Sequence, residues 1–279
     1  FYKSKNSVPQ NTKGYKLKNY LKKYDFFRNL NGSYKIIKAW FKYFIKNDYP
    51  YKKIINEIGV KDNESFSDYF SKIEIERAKR KPKTHKIWKK NIGLNHVSIE
   101  KSEKDGKEWI EFLIQNGLKQ SDTVLDYGCG SLRLGKSLID YLDEGKYVGV
   151  DISDHFYNLG LKHYISSKLV SNKKPKFFII DSNEYRKFMI NRKFDFIYSS
   201  WVAMHVPPDM LDKYFENIFK LMNDNTKFYF DFIHSIITLR QNTLTWGYNS
   251  SKIKKIIQKN GFDTKRILGD FLEVTKKKY

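Results

Sequence analysis

A glycine-rich segment near the middle of the chain holds the residues best suited to contact a ligand. It comprises Val124-Leu125-Asp126-Tyr127-Gly128-Cys129-Gly130-Ser131-Leu132-Arg133-Leu134-Gly135. Glycines where a strand turns into a helix allow a tight turn and a close approach of the backbone to a ligand. The first turn of the following helix offers N–H groups that have no partner within the helix. The segment therefore indicates a nucleotide-like ligand.

The spacing of these glycines argues against a dinucleotide-binding fingerprint. The pattern G-x-G-x-x-G would require glycine at the position of Arg133. Asp126 stands directly before the loop, and a carboxylate is a poor neighbour for a pyrophosphate because like charges repel. The same carboxylate suits a ligand that carries an ammonium and a sulfonium. S-adenosylmethionine (SAM) is such a ligand.

A second acidic residue ends the next predicted strand, Tyr147–Asp151. A carboxylate at this position can accept hydrogen bonds from both hydroxyls of a ribose. The alternative is that Asp151 caps the next helix, which opens with Ile152-Ser153-Asp154. We favour the ribose role because Asp126 and Asp151 occupy corresponding positions at the ends of two strands.

These residues resemble the class I SAM-dependent methyltransferases, the Rossmann-like seven-stranded family, in its small-molecule or saccharide branch. Asp126 to Gly130 resemble the first motif of the family and Asp151 the second. The resemblance covers residues 103–279 and implies SAM as the cofactor and S-adenosylhomocysteine (SAH) as its product. It implies cofactor contacts from Asp126, Tyr127, Gly128, Cys129, Gly130, Asp151, Ile152, Asp181, Ser182, Ser199 and Trp201. For Asp181, which resembles the acid that binds the adenine amino group, the alternative is a turn-capping role.

The resemblance also implies an in-line attack of the acceptor on the methyl group of the sulfonium. An oxygen nucleophile often needs a base, and His205, just past the fourth predicted strand, is the candidate catalytic base. Its alternative role is structural or substrate-orienting. His234 and Asp231, near the end of the fifth predicted strand, are further candidates on the same edge. Arg133 is predicted to hold an anionic substrate or the carboxylate of the cofactor. Its alternative role is an ion pair on the surface or between helices.

The methyl acceptor is less well defined, because this fold serves acceptors of many classes. The fourth predicted strand is followed by Ser199-Ser200-Trp201-Val202 rather than an Asp/Asn-Pro-Pro-Tyr/Phe motif. This difference argues against N-methylation of adenine or glutamine. The sequence suggests no set of metal ligands. We predict O-methylation of a small molecule or saccharide. The alternatives are a nucleic-acid methyltransferase and a membrane-surface lipid methyltransferase, whereas the two cofactor acids argue against a non-catalytic module.

Apolar runs alternate with amphipathic segments after residue 120, which is typical of a parallel sheet covered on both faces. Strands are predicted at Thr123–Tyr127, Tyr147–Asp151, Lys176–Asp181, Phe194–Trp201 and Thr226–Ile233. Helices are predicted at 104–117, Leu132–Leu142, His155–Ser166, 183–190, Asp209–Met222 and Ser250–Asn260. A closing antiparallel hairpin is predicted at Phe262–Leu268 and Phe271–Thr275. The predicted fold is an α/β, doubly wound, mostly parallel seven-stranded sheet with an N-terminal helical extension.

Charge divides the chain into two predicted units, a basic, aromatic-rich extension at 1–100 and a SAM-binding domain at 101–279. The chain carries 53 Lys and Arg against 31 Asp and Glu, which gives a net charge of +22. Residues 1–100 hold 24 of the basic residues and 9 of the acidic ones. Lys, Asn, Ile, Tyr and Phe share AT-rich codons, so codon bias is one source of this charge. The alternative is an anionic partner.

The extension contains a predicted basic amphipathic helix, Ser33–Lys46, and a basic linker at 79–90. We expect it to cap the substrate mouth or to form a homodimer surface. A nucleic acid or an anionic membrane surface is a possible partner. The single cysteine excludes a disulfide framework. With no apparent signal peptide at Phe1-Tyr2-Lys3-Ser4, a cytoplasmic location is expected, peripheral to a membrane if the basic helix binds lipid.

Overall fold

The computed structural model describes residues 66–80, 99–242, 244–268 and 271–277. The predicted helix Ser33–Lys46 and the linker from residue 81 onward lie outside the described residues. A helix spans 99–115 and so begins two residues before the predicted start of the second unit. The division into units at 1–100 and 101–279 stays a prediction.

The described residues form ten strands in two sheets. The strands are β1 (Val124–Tyr127), β2 (Tyr147–Asp151), β3 (Lys176–Ile179), β4 (Phe194–Ser199), β5 (Met222–Asp231), β6 (Ile233–His234), β7 (Leu239–Asn242), β8 (Thr245–Tyr248), β9 (Phe262–Leu268) and β10 (Phe271–Lys276). The large sheet has the order β3-β2-β1-β4-β5-β10-β9, and β10 runs antiparallel to both β5 and β9. The other neighbouring strands of this sheet are parallel. The predicted seven-stranded sheet with an antiparallel hairpin at its edge is therefore confirmed.

Helices connect the strands and cover the sheet. In the described part they are α1 (Phe66–Arg80), α2 (Ile99–Gln115), α3 (Gly135–Tyr141), α4 (Asp154–His163), α5 (Ser167–Lys173), α6 (Asn183–Met189), α7 (Leu211–Phe219) and α8 (Ser250–Lys259). A short 3₁₀ turn, Ala203–His205, follows β4. Among these described helices, none has the length and apolar character needed to cross a membrane.

The core forms two apolar clusters, one on each face of the large sheet. Successive residues of a strand point to opposite faces, and accordingly Val124 belongs to one cluster and Leu125 to the other. β1 and β2 are buried along their whole length, as expected for parallel strands covered on both sides. This packing places the carboxyl ends of β1, β2 and β4 side by side at one edge.

Several predicted helices differ from the structure in their bounds, and the local backbone explains two of these differences. The helix predicted at Leu132–Leu142 begins at Gly135, because Leu132 adopts a left-handed conformation with φ +63° that an α-helix cannot include. The helix predicted at His155–Ser166 is followed by a separate helix, α5. Ser166 caps that helix, since its hydroxyl oxygen accepts a hydrogen bond of 3.2 Å from the Leu169 N–H.

The second sheet, of order β6-β8-β7, lies in a segment that the sequence pattern left without strands. Its strands have two to four residues, too short for an alternating pattern to stand out. This small sheet is attached to the 3₁₀ turn, because the hydroxyl of buried Tyr248 donates to the carbonyl of Val206. It therefore lies beside the carboxyl edge of the large sheet.

Candidate active site

A cavity of about 360 Å³ opens at the carboxyl ends of β1, β2 and β4. Its walls come from the loop after β1, the residues after β2, β3 and β4, the 3₁₀ turn, and helices α1, α2 and α7. Of the residues predicted to form the site, those in the wall are Asp126, Tyr127, Gly128, Cys129, Gly130, Arg133, Asp151, Ile152, Asp181, Trp201 and His205. Ser182, Ser199 and His234 are not among the wall residues. Packing of parallel strands thus brings most of the predicted site together.

Asp126, the next-to-last residue of β1, lines the cavity and is 4% exposed. The hydroxyl of Tyr147 on β2 donates a 2.8 Å hydrogen bond to its Oδ2. Burial raises the pKa of Asp126 from 3.8 to about 7, more than this hydrogen bond lowers it, and the charge of Asp151 raises it further. A cationic group bound beside Asp126 would favour the ionised form.

The glycine loop requires its glycines for two different reasons. Gly128 has φ +86° and Gly130 has φ +51°, both in the left-handed region. A Cβ at Gly128 would lie only 2.2 Å from Cγ2 of Val202, whereas none of the protein atoms would come within 4 Å of a Cβ at Gly130. Gly128 is needed for a close packing contact, and Gly130 leaves room in the cavity. The N–H groups of Gly128 and Cys129 both donate to the Val150 carbonyl, which joins the loop to β2.

Asp151, the last residue of β2, binds the glycine loop through its carboxylate and is 6% exposed. Its Oδ2 accepts a 2.7 Å hydrogen bond from the Gly130 N–H, and its Oδ1 accepts one of 2.8 Å from the Ile152 N–H. Burial raises the pKa of Asp151 from 3.8 to about 6, although these hydrogen bonds act in the opposite direction. The helix cap is Ser153, whose side chain accepts from the His155 N–H. The capping alternative for Asp151 is thereby removed.

The hydroxyls of two predicted cofactor contacts have partners within the protein. Ser182 caps α6, with its hydroxyl oxygen accepting from the Tyr185 N–H at 3.1 Å. Ser199 is fully buried and donates to the Tyr127 carbonyl at 2.8 Å, while Tyr214 donates to Ser199 at 2.8 Å. Neither serine is among the residues of the cavity wall, and their contact with the cofactor stays a prediction. Asp181 lines the cavity in a left-handed turn with φ +65°.

The residues after β4 form the rim. Trp201 is 43% exposed and has φ +62°, an unusual conformation for a residue with a side chain. Its N–H donates a 2.5 Å hydrogen bond to Oδ1 of Asp231, which holds this turn in place. Asp231 was a possible base from sequence, and the structure gives its carboxylate this backbone partner instead.

His205 lies in the 3₁₀ turn at the cavity wall, and its ring is oriented by two contacts. Its Nδ1 is 2.5 Å from the carbonyl oxygen of Leu244. A carbonyl only accepts hydrogen bonds, so Nδ1 carries the hydrogen, and in the neutral ring Nε2 has the lone pair. The ring of Phe70 on α1 packs edge-on at 5.0 Å between centroids. These two contacts hold the ring of His205 at the cavity wall.

His234 is not among the residues that line the cavity, and its contact with substrate stays a prediction. β6 leaves the large sheet to pair with β8, and this turns His234 outward. Its side chain is exposed, and its Nδ1 lies 2.8 Å from Oγ of Ser250 at the start of α8. Arg133 does line the cavity, beside Asp105 and Gly106 of α2.

The comparison of sequences supports the class of enzyme to which this site belongs. Residues 125–228 match the sequence model of a family described as "Methyltransferase domain". Residues 125–228 thus have the sequence pattern of a methyltransferase domain. The matched residues include the glycine loop, Asp151 and His205, so the match covers the centre of the site.

Solved structures share the fold of this methyltransferase domain. Magnesium protoporphyrin IX methyltransferase from Synechocystis PCC 6803, crystallised with SAM, superposes with a TM-score of 0.54 at 16% identity, covering 78% of this chain and 100% of that one. The same protein with SAH gives a TM-score of 0.52 at 17% identity, covering 76% and 97%. A glycopeptide N-methyltransferase, MtfA, crystallised with SAM, gives 0.47 at 12% identity, covering 62% and 94%. The two matches to the porphyrin methyltransferase, at 16% and 17% identity, establish the Rossmann-like methyltransferase fold.

Two helices before the matched segment complete the cavity of the methyltransferase domain. Phe70 and Glu74 come from α1, and Asp105 and Trp109 from α2. Glu74 is 5% exposed. No motif in the sequence marks these wall residues, because packing of distant segments brings them to the site. In the described part of the chain, no cluster of three His, Cys, Asp or Glu could hold a metal ion.

Proposed function

We propose that the methyltransferase domain transfers a methyl group from SAM to an oxygen of a small-molecule or saccharide acceptor. The observation that carries this proposal is the shared cavity, in which Asp126, Asp151 and His205 line one space at the carboxyl edge of the sheet. Ligands of open α/β sheets bind outside the carboxyl ends of the strands. Cofactor-binding and proton-accepting groups are thus close to one another.

The residues in the wall fit SAM. Asp151 is oriented by the N–H groups of Gly130 and Ile152 and can accept hydrogen bonds from ribose hydroxyls. Asp126 supplies a buried carboxylate for the cationic part of the ligand, and Asp181 is the candidate partner of the adenine amino group. The neighbours crystallised with SAM and SAH support the same donor and product here.

SAM supplies a methyl group already activated by its positive sulfonium. The protein has to align the acceptor with that methyl group and exclude water. Nε2 of His205 can take the proton of an acceptor hydroxyl as the oxygen attacks, while Nδ1 keeps its hydrogen on the Leu244 carbonyl. Transfer leaves a methyl ether, SAH and a protonated His205, which returns its proton to solvent.

The walls favour a small acceptor. Helices α1 and α2 contribute Phe70, Glu74 and Trp109 to the cavity and so limit the space above the cofactor site. The wall also contains five acidic residues, Glu74, Asp105, Asp126, Asp151 and Asp181, against the two basic residues Arg133 and Lys213. Such a wall does not suit a phosphate backbone, because like charges repel. The nucleic-acid and lipid alternatives depend on the basic extension.

The cofactor assignment is tested by titration calorimetry with SAM. Asp151→Ala should raise the Kd for SAM about 100-fold, because it removes two charge-assisted hydrogen bonds to the ribose. Asp143→Ala, at an exposed loop position, is the matched control and should bind like the unaltered protein. Unchanged affinity in Asp151→Ala would rule out the proposed ribose contact.

The acceptor class is tested by transfer of a labelled methyl group from SAM to an extract of the source cell. The extract is fractionated into small molecules, glycan, lipid, RNA and protein. Label in the small-molecule or glycan fraction is the expected result. Label concentrated in RNA or lipid would replace the proposed acceptor by one of the alternatives.

A further inference from the structure

A short turn between β6 and β7 presents two isoleucines to solvent. Ile236 is 74% exposed and Ile237 is 63% exposed. Large apolar side chains placed together on a surface commonly mark a contact with a partner or a membrane. None of the contacts described so far for the cofactor or acceptor involves this turn.

The turn is held firmly at its base, so the isoleucines project from an ordered support. The N–H of Ser235 donates to the Tyr248 carbonyl at 2.8 Å, and Ser235 is 2% exposed. Nδ2 of Asn249 donates to the Ile236 carbonyl at 2.6 Å. These bonds tie both sides of the turn to the end of β8, leaving the apolar side chains outside.

The position of the turn relates it to the cavity. The Tyr248 carbonyl accepts from Ser235 of the turn, and the Tyr248 hydroxyl donates to the carbonyl of Val206 in the cavity wall. The small sheet thus joins the turn to the rim that contains Trp201 and Met210. Trp201 and Met210 are themselves 43% and 41% exposed. Exposed apolar side chains are therefore concentrated at the edge of the sheet where the cavity opens. Tryptophan is also favoured at the interface between membrane and water.

The segment of sequence that contains this turn is basic. Residues 232–262 contain no Asp or Glu, and they contain five Lys or Arg. In the whole sequence this is the longest stretch without an acidic residue. An anionic surface is the complementary partner of such a segment. A nucleic acid would satisfy the charge but would offer little apolar surface to two exposed isoleucines.

We propose that the turn carrying Ile236 and Ile237 docks this enzyme on an anionic lipid bilayer. Both side chains enter the boundary between headgroups and acyl chains, and the acid-free segment around them contacts the negative headgroups. This orientation brings the edge that contains the cavity rim toward the membrane. The proposal is independent of which acceptor is methylated.

The test is co-sedimentation of the full chain with vesicles at about 0.15 M salt, near physiological ionic strength. One set of vesicles contains phosphatidylcholine alone, and the other contains phosphatidylcholine with phosphatidylglycerol. We expect binding to the anionic vesicles and little binding to the neutral ones. Ile236→Ser/Ile237→Ser should weaken binding to anionic vesicles about tenfold or more, because two large apolar side chains no longer leave water.

Ile190→Ser is the matched control. Ile190 is 68% exposed, but it precedes β4 and so lies toward the opposite edge of the sheet. This variant should bind vesicles like the unaltered protein. SAM affinity, measured in parallel, should stay unchanged in all three proteins and reports that the fold is intact.

Two results would overturn the proposal. One is an unaltered protein that does not sediment with anionic vesicles. The other is a double variant that keeps full vesicle affinity, since the contact would then lie elsewhere in the chain. Binding to single-stranded RNA is measured alongside, and a loss of RNA affinity in the double variant would assign the turn to nucleic acid instead.

Discussion

At the scale of single residues, the ionised carboxylate of Asp126 destabilises the free protein but favours binding of a cationic ligand. Its pKa is raised from 3.8 to about 7 by burial, so the folded protein holds the proton more tightly than the unfolded chain. The stability from this group is fully present below pH 3.8 and is lost as the pH rises through 7. The ionised carboxylate that destabilises the free protein at high pH is the form that a cation binds.

Asp126→Asn should therefore separate stability from binding. The asparagine oxygen can still accept from the Tyr147 hydroxyl, and the side chain has no ionised form. The thermal midpoint of the free protein should rise by a few °C at about pH 8 and change little near pH 4, as scanning calorimetry would detect. A variant less stable than the unaltered protein at high pH would contradict the raised pKa.

The affinity for SAM should depend on pH through the same group. In the unaltered protein the Kd for SAM should rise as the pH falls from about 8 to 6.5, because protonation of Asp126 removes its attraction for the cationic ligand. Asp126→Asn should bind weakly across that range with little pH dependence. Calorimetric titrations at several pH values compare the two proteins, with Asp143→Asn as control, and a parallel pH dependence in both would assign the titration elsewhere.

His205 is the residue whose role depends on the acceptor. His205→Ala should bind SAM as before but lower kcat for an oxygen acceptor by about 100-fold or more, the usual contribution of a general base. The measurement uses the acceptor found by methyl labelling, at saturating SAM and over a range of pH. If the residual activity rises with pH while the variant binds SAM normally, proton removal is the lost function; near-normal activity at each pH would leave His205 with a structural role.

At the scale of elements, the contact between the glycine loop and the turn after β4 sets the shape of the cavity. A Cβ at Gly128 would meet Cγ2 of Val202 at 2.2 Å, and its φ of +86° adds backbone strain. Gly145 has φ +72° but open space around its Cβ position. The two glycines therefore separate the effect of a clash from that of conformation alone.

Gly128→Ala should destabilise the protein clearly more than Gly145→Ala, for which strain of about 1 to 2 kcal/mol is expected. Adding Val202→Ala to Gly128→Ala should recover part of the loss, because it removes the methyl group in contact but not the strain. Denaturant unfolding gives the three free energies. Equal losses in the two single variants would show that the loop and the turn separate at little cost.

The sequence predicted the large sheet well, for a physical reason visible in β1 and β2. Both strands are buried on two faces, so each appears as an apolar run, and the acids Asp126 and Asp151 mark where they end. The start of α3 was harder, because the leucines before it continue a helical spacing while Leu132 is in a left-handed conformation. Sequence spacing does not record a single backbone angle.

The remaining differences come from contacts between distant segments. The sequence showed that His205 follows β4, but the carbonyl of Leu244 and the ring of Phe70, which orient it, are 39 and 135 positions away. His234 was predicted in the site because it follows β5, and the pairing of β6 with β8 takes it out of the cavity wall. Position at the end of a strand thus predicts nearness to the cavity only when the next residues stay with the large sheet.

At the scale of the whole molecule, the net charge of the chain is positive, whereas acidic residues outnumber basic ones in the cavity wall. The chain has a net charge of +22, while the cavity wall has five acidic and two basic residues. Charges separated by more than about 10 Å of salt solution are largely screened, so a bound ligand responds chiefly to the wall. The surface and the cavity are therefore expected to select different partners.

A polyanion should accordingly bind this protein without entering the cavity. Heparin at low salt should associate with the basic surface, yet leave the Kd for SAM within about twofold, because the acidic wall repels its sulfates. Calorimetric titration of SAM with and without saturating heparin makes the comparison, and about 0.5 M salt, which screens surface charge, serves as the control by releasing heparin. Competitive loss of SAM binding would mean that the polyanion reaches the cofactor site, and it would favour a nucleic-acid acceptor over the small-molecule or saccharide acceptor proposed here.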